Sequence, residues 1–275
     1  MRVKKPFFAF DIGNSNITAG IFLGERLLRR VNIPTARAEN CGAGLRNIGI
    51  KDAEGMIVCS VVPAATRSLC RCLRLCCPLK PVVVGGGGTV VPIKNLYKKP
   101  KEAGLDRLVN AYAAVKLFGA PLICVDLGTT ATFDAVSARG EYLGGMIFPG
   151  MDMQLRALCG GTALLPKVKL RAPSGLLGKR TQDGMLNGVV RGTAAVCDGL
   201  CAGMKKQLAG KAAVIGTGGD IRLISRYTRV FDRIEPDLTL RGLRMLYEYY
   251  NNRAGSGLVE QKGSDRKYRA QNPKR

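Results

Sequence analysis

Two short stretches, "FFAFDIGNSN" at residues 7–16 and "ICVDLGTTA" at residues 123–131, limit the folds open to this chain more than any other feature. In each, an apolar, strand-forming run stops on an aspartate, Asp11 or Asp126, and a glycine follows two residues later, at Gly13 or Gly128. Small polar side chains come next, and then the chain turns apolar again, as "ITAGIFLG" or "TATFDAV". One such turn alone reads as a plain hairpin built from ordinary turn-formers. Two of them, 115 residues apart, read as an internal repeat of two related half-domains, far too widely spaced for a solenoid.

The turns also have a chemistry. Glycine lets backbone N–H groups approach a ligand closely, and Asn14, Ser15 and Asn16 add hydrogen-bonding groups. A carboxylate at the strand end can hold a cation directly or through water, so each turn is a candidate phosphate-and-magnesium cradle. Two such turns facing one another would grip a single nucleotide.

Around these turns the apolar periodicity predicts an α/β chain. Residues 7–34 read as a β-meander and "GMIVCSVVP" as a strand buried on both faces. "AATRSLCRCLRLCC" reads as a helix with Cys70, Leu73, Cys76 and Cys77 toward the core. "DRLVNAYAAVKLFG" reads as an amphipathic helix with Leu108, Ala111, Tyr112 and Val115 on one face, closed by Gly119 and Pro121. The pattern then restarts with three strands, helices near 151–159 and 181–207, the strand "AAVIGTGGD" and the final helix "LRGLRMLYEYYNN". We expect an N-terminal domain over 1–119, a C-terminal domain over 120–251, and a polar, basic, flexible tail over 252–275.

Composition removes several alternatives. The apolar runs fall short of a membrane span, so no membrane role is expected. The start of the chain reads as a first strand rather than a signal peptide, which points to the cytoplasm. Ten cysteines in such a chain read as reduced thiols, and with no histidine present they suit core packing better than metal ligation. The formal charge of +23 would suit a polyanion, but the basic residues are spread along the chain, so a solvated basic surface is expected rather than nucleic-acid binding. "VIGTGGD" lacks the dinucleotide spacing, and "GKRT" at 178–181 is no Walker loop, since Pro173 stands where its leading glycine belongs.

One further stretch, "YKKPKEAGLDRLVNA" at 97–111, places Gly104, Asp106 and Arg107 at a helix start. An acid there is ordinarily a dipole partner. Beside an arginine it is also well placed to orient an anionic substrate and accept its proton.

Taken in order, these motifs resemble the type III pantothenate kinase family. "DIGNSN" stands for its D-I-G-N-T-N, "GLDR" for GADR, "VDLGTTATFD" for VDxGTATTFD, "YLGGMIFPG" for YxGGxIxPG and "GKRT" for GKNT, with "SVVP", "TGGD" and "DLTLRGL" also in place. The agreement spans about residues 7–247. Leu105, the order Thr130-Ala131 and Arg180 depart from the family pattern.

The resemblance implies two ribonuclease H-like domains of the acetate and sugar kinase/Hsp70/actin (actin-like ATPase) fold with a nucleotide cleft, usually in a homodimer. It implies ATP contacts from Asp11, Ile12, Gly13, Asn14, Ser15, Asn16, Ile17, Thr18 and Thr129. Pantothenate would be bound by Tyr97, Gly104, Leu105, Asp106, Arg107 and Thr181, with Asp106 as catalytic base. Asp126 would hold a monovalent cation, K+ or NH4+, and Asp11 the magnesium. Two other classes stay open: a non-catalytic regulator like the Bvg accessory factor proteins, and another small-molecule kinase of the same superfamily.

Overall fold

A computed structural model describes residues 5–255. The described residues fall into two compact units, one formed by residues 5–12, 17–91 and 243–255, the other by 13–16 and 92–242.

In the first unit, β1 (Phe7–Ile12), β2 (Asn16–Leu23), β3 (Arg26–Pro34), β4 (Gly55–Ser60) and β5 (Val82–Val83) form a sheet of order β3-β2-β1-β4-β5. β1 pairs antiparallel with β2 and parallel with β4. Strand alternation sends Phe8, Phe10 and Ile12 into a core shared with Leu45 of α1 (Gly42–Asn47) and Leu69, Cys72 and Leu73 of α2 (Pro63–Cys76). Phe7, facing the other way, packs 4.6 Å ring to ring against Tyr247 of α7 (Leu238–Gly255). Gly55 has room for no side chain here, since a Cβ would fall 2.0 Å from the Tyr247 hydroxyl. β1 and β4 are thus covered on both sides, as their unbroken apolar sequence predicts.

The buried side of α2 is Ala65, Leu69, Cys72 and Leu73, so its core-facing stripe is rotated from the expected one and Cys70 and Cys76 are only half-buried. The cause is the turn over residues 35–40 and α1, elements without apolar periodicity, whose carbonyls accept from these thiols. Cys72 Sγ lies 3.5 Å from Glu39 O and Cys76 Sγ 3.7 Å from Gly42 O.

The second unit repeats the plan. β6 (Leu122–Leu127), β7 (Thr130–Val136), β8 (Tyr142–Pro149), β9 (Ala213–Thr217) and β10 (Arg233–Ile234) form a sheet of order β10-β9-β6-β7-β8. Ile123, Val125, Leu127, Ala131 and Phe133 meet Met151 and Leu155 of α4 (Met151–Gly160) and Leu186, Val190 and Cys197 of α5 (Thr181–Gln207). The opposite face of β6 and β7 carries Asp126, Thr132 and Asp134, and α3 (Leu105–Phe118) packs over it. A short α6 (Ile221–Ile224) follows β9.

Two expectations change in detail. α3 is buried continuously from Arg107 to Ala114 rather than along one stripe, because α7 covers the side away from the sheet; Gly242 lies so close that a Cβ would sit 2.8 Å from Val109. α7 continues through Gly255, so the first residues of the expected tail are helical, and the remainder of 252–275 lies outside the described residues. The expected boundary near Gly119–Pro121 falls between α3 and β6, inside the second unit as contacts define it and between the two sheets as strands define it.

Candidate active site

The first turn closes with the Gly13 N–H donating to Asn16 O at 3.0 Å. Asp11 is half-buried at the end of β1, opposite Thr18 in the β1–β2 register. Asn14, Ser15 and Asn16 are exposed, whereas Ile12 and Ile17 are wholly buried in the first core. Contact between those two residues and a phosphate would therefore run through their backbone. The Gly13–Asn16 segment groups with the second unit, where Thr129 Oγ1 lies 3.0 Å from Ser15 Oγ.

The corresponding turn after β6 carries Asp126. Asn110, 2% exposed on α3, donates from Nδ2 to Asp126 Oδ2 at 2.8 Å, and Thr239 Oγ1 donates to Asn110 Oδ1 at 2.7 Å. That second bond orients the amide, so Asn110 must present its NH2 to the carboxylate. Burial, then the charge of Asp106, and further on those of Asp134 and Asp220, push the Asp126 carboxyl up to about 7 against the opposing Asn110 hydrogen bond. Asp220 is raised to about 6 by burial and by Asp152. Gly218, at φ +94°, passes Asp126 so closely that a Cβ would lie 2.4 Å from its Oδ1. Only glycine combines that backbone conformation with that approach.

Asp106 stands half-exposed in the first turn of α3, and its Oδ1 accepts the Arg107 backbone N–H at 2.9 Å. Arg107 turns inward. Its Nε donates to Asp134 Oδ1 at 2.9 Å and its Nη1 to the Tyr97 hydroxyl at 3.2 Å. Asp134, 1% exposed, also accepts from Tyr142 Oη at 2.6 Å and Thr132 Oγ1 at 3.1 Å. Burial opposes the charge on Arg107, but Asp134 outweighs it and the guanidinium is held more firmly protonated. Burial raises the Asp134 carboxyl, and Arg107 pulls the other way. The rings of Tyr97 and Tyr142 stack 5.8 Å apart, each centroid 6.0 Å from the Arg107 guanidinium carbon.

Tyr97, Gly104, Leu105, Asp106 and Arg107 are thus one local group, joined through the charges around Asp126 to the strand end. Thr181 opens α5 exposed, and among the described residues no hydrogen bond joins it to that group. The motif reading passed over Asn110, Asp134, Tyr142 and Thr239. A signal existed for each of two of them: Asn110 is an amide inside an apolar helix, and Asp134 shares β-sheet parity with Thr132.

Hard oxygen donors at Asp126 and the close backbone at Gly218 suit a hard cation. Among the described residues no three carboxylates or thiols gather into a cage of their own.

The family model described as type III pantothenate kinase matches residues 7–203. A type III pantothenate kinase of Moorella thermoacetica is 39% identical over 250 residues, covering 87% of this chain and 98% of the relative. One from Streptomyces griseus is 39% identical over 260 residues, covering 89% and 98%. Among solved structures, a protein from Campylobacter jejuni described as a conserved Baf family transcriptional activator aligns with TM-score 0.57 at 16% identity, covering 89% of this chain and 99% of that one. MreB5 of Spiroplasma citri bound to AMPPNP aligns with TM-score 0.51 at 12% identity, covering 93% and 100%. These two speak to the fold alone, and they agree with the two-sheet, actin-like α/β architecture. The motifs, the duplicated sheets and the match along most of the chain lead to one conclusion: the protein belongs to the type III pantothenate kinase family.

Proposed function

We propose that the chain transfers the γ-phosphoryl group of ATP to the primary hydroxyl of pantothenate, giving 4′-phosphopantothenate and ADP, the first step of coenzyme A biosynthesis. The observation that carries this reading is the start of α3, where a half-exposed Asp106 adjoins an inward-turned Arg107 that bonds Tyr97. A carboxylate to take a hydroxyl proton and a guanidinium to meet a substrate carboxylate are thereby held together in a chain of this family.

Phosphoryl transfer runs through a loose transition state, so most of the catalysis is positioning and neutralisation of charge. The backbone of the Asp11–Thr18 turn, with Ser15 and Thr129, receives the ATP phosphates. Magnesium near Asp11 and a monovalent cation, K+ or NH4+, near Asp126 would supply positive charge to the phosphates. Pantothenate lies along Tyr97, Gly104, Leu105 and Arg107, with Thr181 as a further contact. Oδ1 of Asp106 is engaged by the Arg107 N–H, which leaves Oδ2 to receive the substrate proton. A carboxylate is too weak a base to ionise an alcohol outright, so the proton moves late, as the new oxygen–phosphorus bond forms. We infer a cytoplasmic homodimer as the working form.

The test is ADP release by the purified chain with and without pantothenate, with sugars and acetate as competing acceptors. Pantothenate-dependent ADP is the expected result. Release with a sugar or acetate instead would move the chain to another kinase of the superfamily. No release with any acceptor would favour a non-catalytic regulator.

A further inference from the structure

Asp126 and Asp134 lie on the same face of the second sheet, and they are held by partners of different kinds. Arg107 cancels the charge of Asp134, and both oxygens of that carboxylate accept hydrogen bonds. Asp126 is held by a neutral amide instead, with Asn110 Nδ2 donating to Oδ2 at 2.8 Å. The charges acting on it, those of Asp106, Asp134 and Asp220, are all negative, so its surroundings lack a positive charge. Its other oxygen, Oδ1, accepts no hydrogen bond among the described residues, yet it is not one of the buried atoms left without a partner, so it keeps contact with solvent. Asn110 is itself 2% exposed, and its carbonyl end is pinned by the Thr239 hydroxyl, which donates at 2.7 Å from the first turn of α7. Without that donor nothing in the pair decides which end of the amide meets the carboxylate.

We propose that Asn110 and Thr239 are positioning residues for the cation carboxylate: together they fix Asp126 through Oδ2 without cancelling its charge, so that Oδ1 is the oxygen presented to the monovalent cation. This rests on the reading of Asp126 as the residue that holds that cation. A lysine or arginine at position 110 would hold the same oxygen but neutralise it, as Arg107 neutralises Asp134. An apolar side chain there would leave the carboxylate to rotate. The amide does neither, and the hydroxyl from α7 keeps the amide in its working orientation. Neither Asn110 nor Thr239 is among the residues read as binding ATP or pantothenate, so loss of the pair should show first in cation binding.

Thr239→Val keeps the shape of the side chain and removes the hydroxyl, Thr239→Ala removes it without any crowding, and Thr239→Ser retains it. The direct readout is the melting temperature of the full chain with magnesium and a non-hydrolysable ATP analogue, as potassium chloride replaces choline chloride at constant ionic strength. The potassium concentration at the midpoint of the rise should be about tenfold higher in Thr239→Val and Thr239→Ala than in wild type, and about that of wild type in Thr239→Ser. In turnover assays the potassium needed for half-activation should move in parallel, with the ATP and pantothenate KM at saturating potassium within about twofold of wild type. A potassium midpoint within about twofold of wild type in Thr239→Val and Thr239→Ala overturns the proposal. So does a loss of stability already present in choline together with a rise of both substrate KM values at saturating potassium, the mark of a purely structural pair. A wild-type chain that melts and turns over equally in potassium and choline overturns the cation reading of Asp126 and this proposal with it, whereas a wild-type potassium response with unaffected Thr239 variants overturns the proposal alone.

Discussion

Counted outward from their central strands, the first sheet runs β3-β2-β1-β4-β5 and the second β8-β7-β6-β9-β10, so each strand has a counterpart in the other half. Asp11 lies opposite Thr18 and beside Cys59; Asp126 lies opposite Thr132 and beside Thr217. Past that shared point the halves diverge. The pair Ala9–Gly20 in the first corresponds to Cys124–Asp134 in the second. Val62, which immediately precedes α2, corresponds to Asp220, which immediately precedes α6. The first hairpin is one residue longer, and its extra length presents Asn14, Ser15 and Asn16 to solvent. One backbone plan thus serves two tasks. In the first half the exposed turn carries the polar groups over an apolar core. In the second, carboxylates are set into the sheet and just past its strand ends, where burial and mutual repulsion raise their pKa values, a cost that functional sites commonly carry.

If that division of labour is right, the largest effect belongs to the second half, at Asp106. Asp106→Asn keeps shape and removes basicity, and kcat should fall by roughly 10²–10⁴-fold with ATP affinity little changed. A correctly folded variant within a few-fold of wild-type kcat would show that the helix start serves only as a cap.

Next comes a direct exchange between the halves. Gly20 is buried and shares its side-chain direction with the fully buried Phe22, so an aspartate there would place a charge in the apolar side of the sheet. Gly20→Asp should cost about 3 kcal/mol or more, as a buried charge without a prepared set of partners does, read as a lowered midpoint in urea. A tolerated Gly20→Asp would break the claim that the two sheets are chemically distinct.

Cations probe the two strand-end aspartates. Replacing potassium by sodium in a magnesium buffer should lower turnover, and Asp126→Ala should lower turnover and blunt the potassium response together. Equal rates in the two salts would remove Asp126 from any cation role.

The smallest effect concerns pH. The Asp220 carboxyl is raised in the folded chain to about 6, above its ordinary 3.8. Its contribution is therefore fully favourable below about pH 4, is lost as pH rises through about 6, and is a penalty above that. Asp220 makes no side-chain cap to α6, so Asp220→Asn gives up no hydrogen bond there. The variant should be more stable than wild type by about 1 kcal/mol at pH 8 and equal to it at pH 4, measured by thermal melts. An identical difference at both pH values would mean the carboxylate carries no burial penalty.

How much of this was legible beforehand depends on the range of the signal. The strand–Asp–Gly turns, the helix over Thr181–Gln207, and the grouping of Gly104, Asp106 and Arg107 at a helix start are local patterns, set by periodicity, turn-formers and propensity within a few residues. The elements over residues 35–47 lack such periodicity and were not foreseen, and with them the true inward side of α2.

What the sequence by itself determined was the duplicated α/β plan, the family, and most of the candidate residues, because each of these is written in short motifs kept in order. Tertiary structure alone decided the partners. Arg107 meets Asp134 across 27 residues of chain, and Thr239 meets Asn110 across 129. No local pattern specifies such pairings, since they arise only when β7, α3 and the start of α7 pack and each buried polar group must find an acceptor or donor from whatever element lies against it.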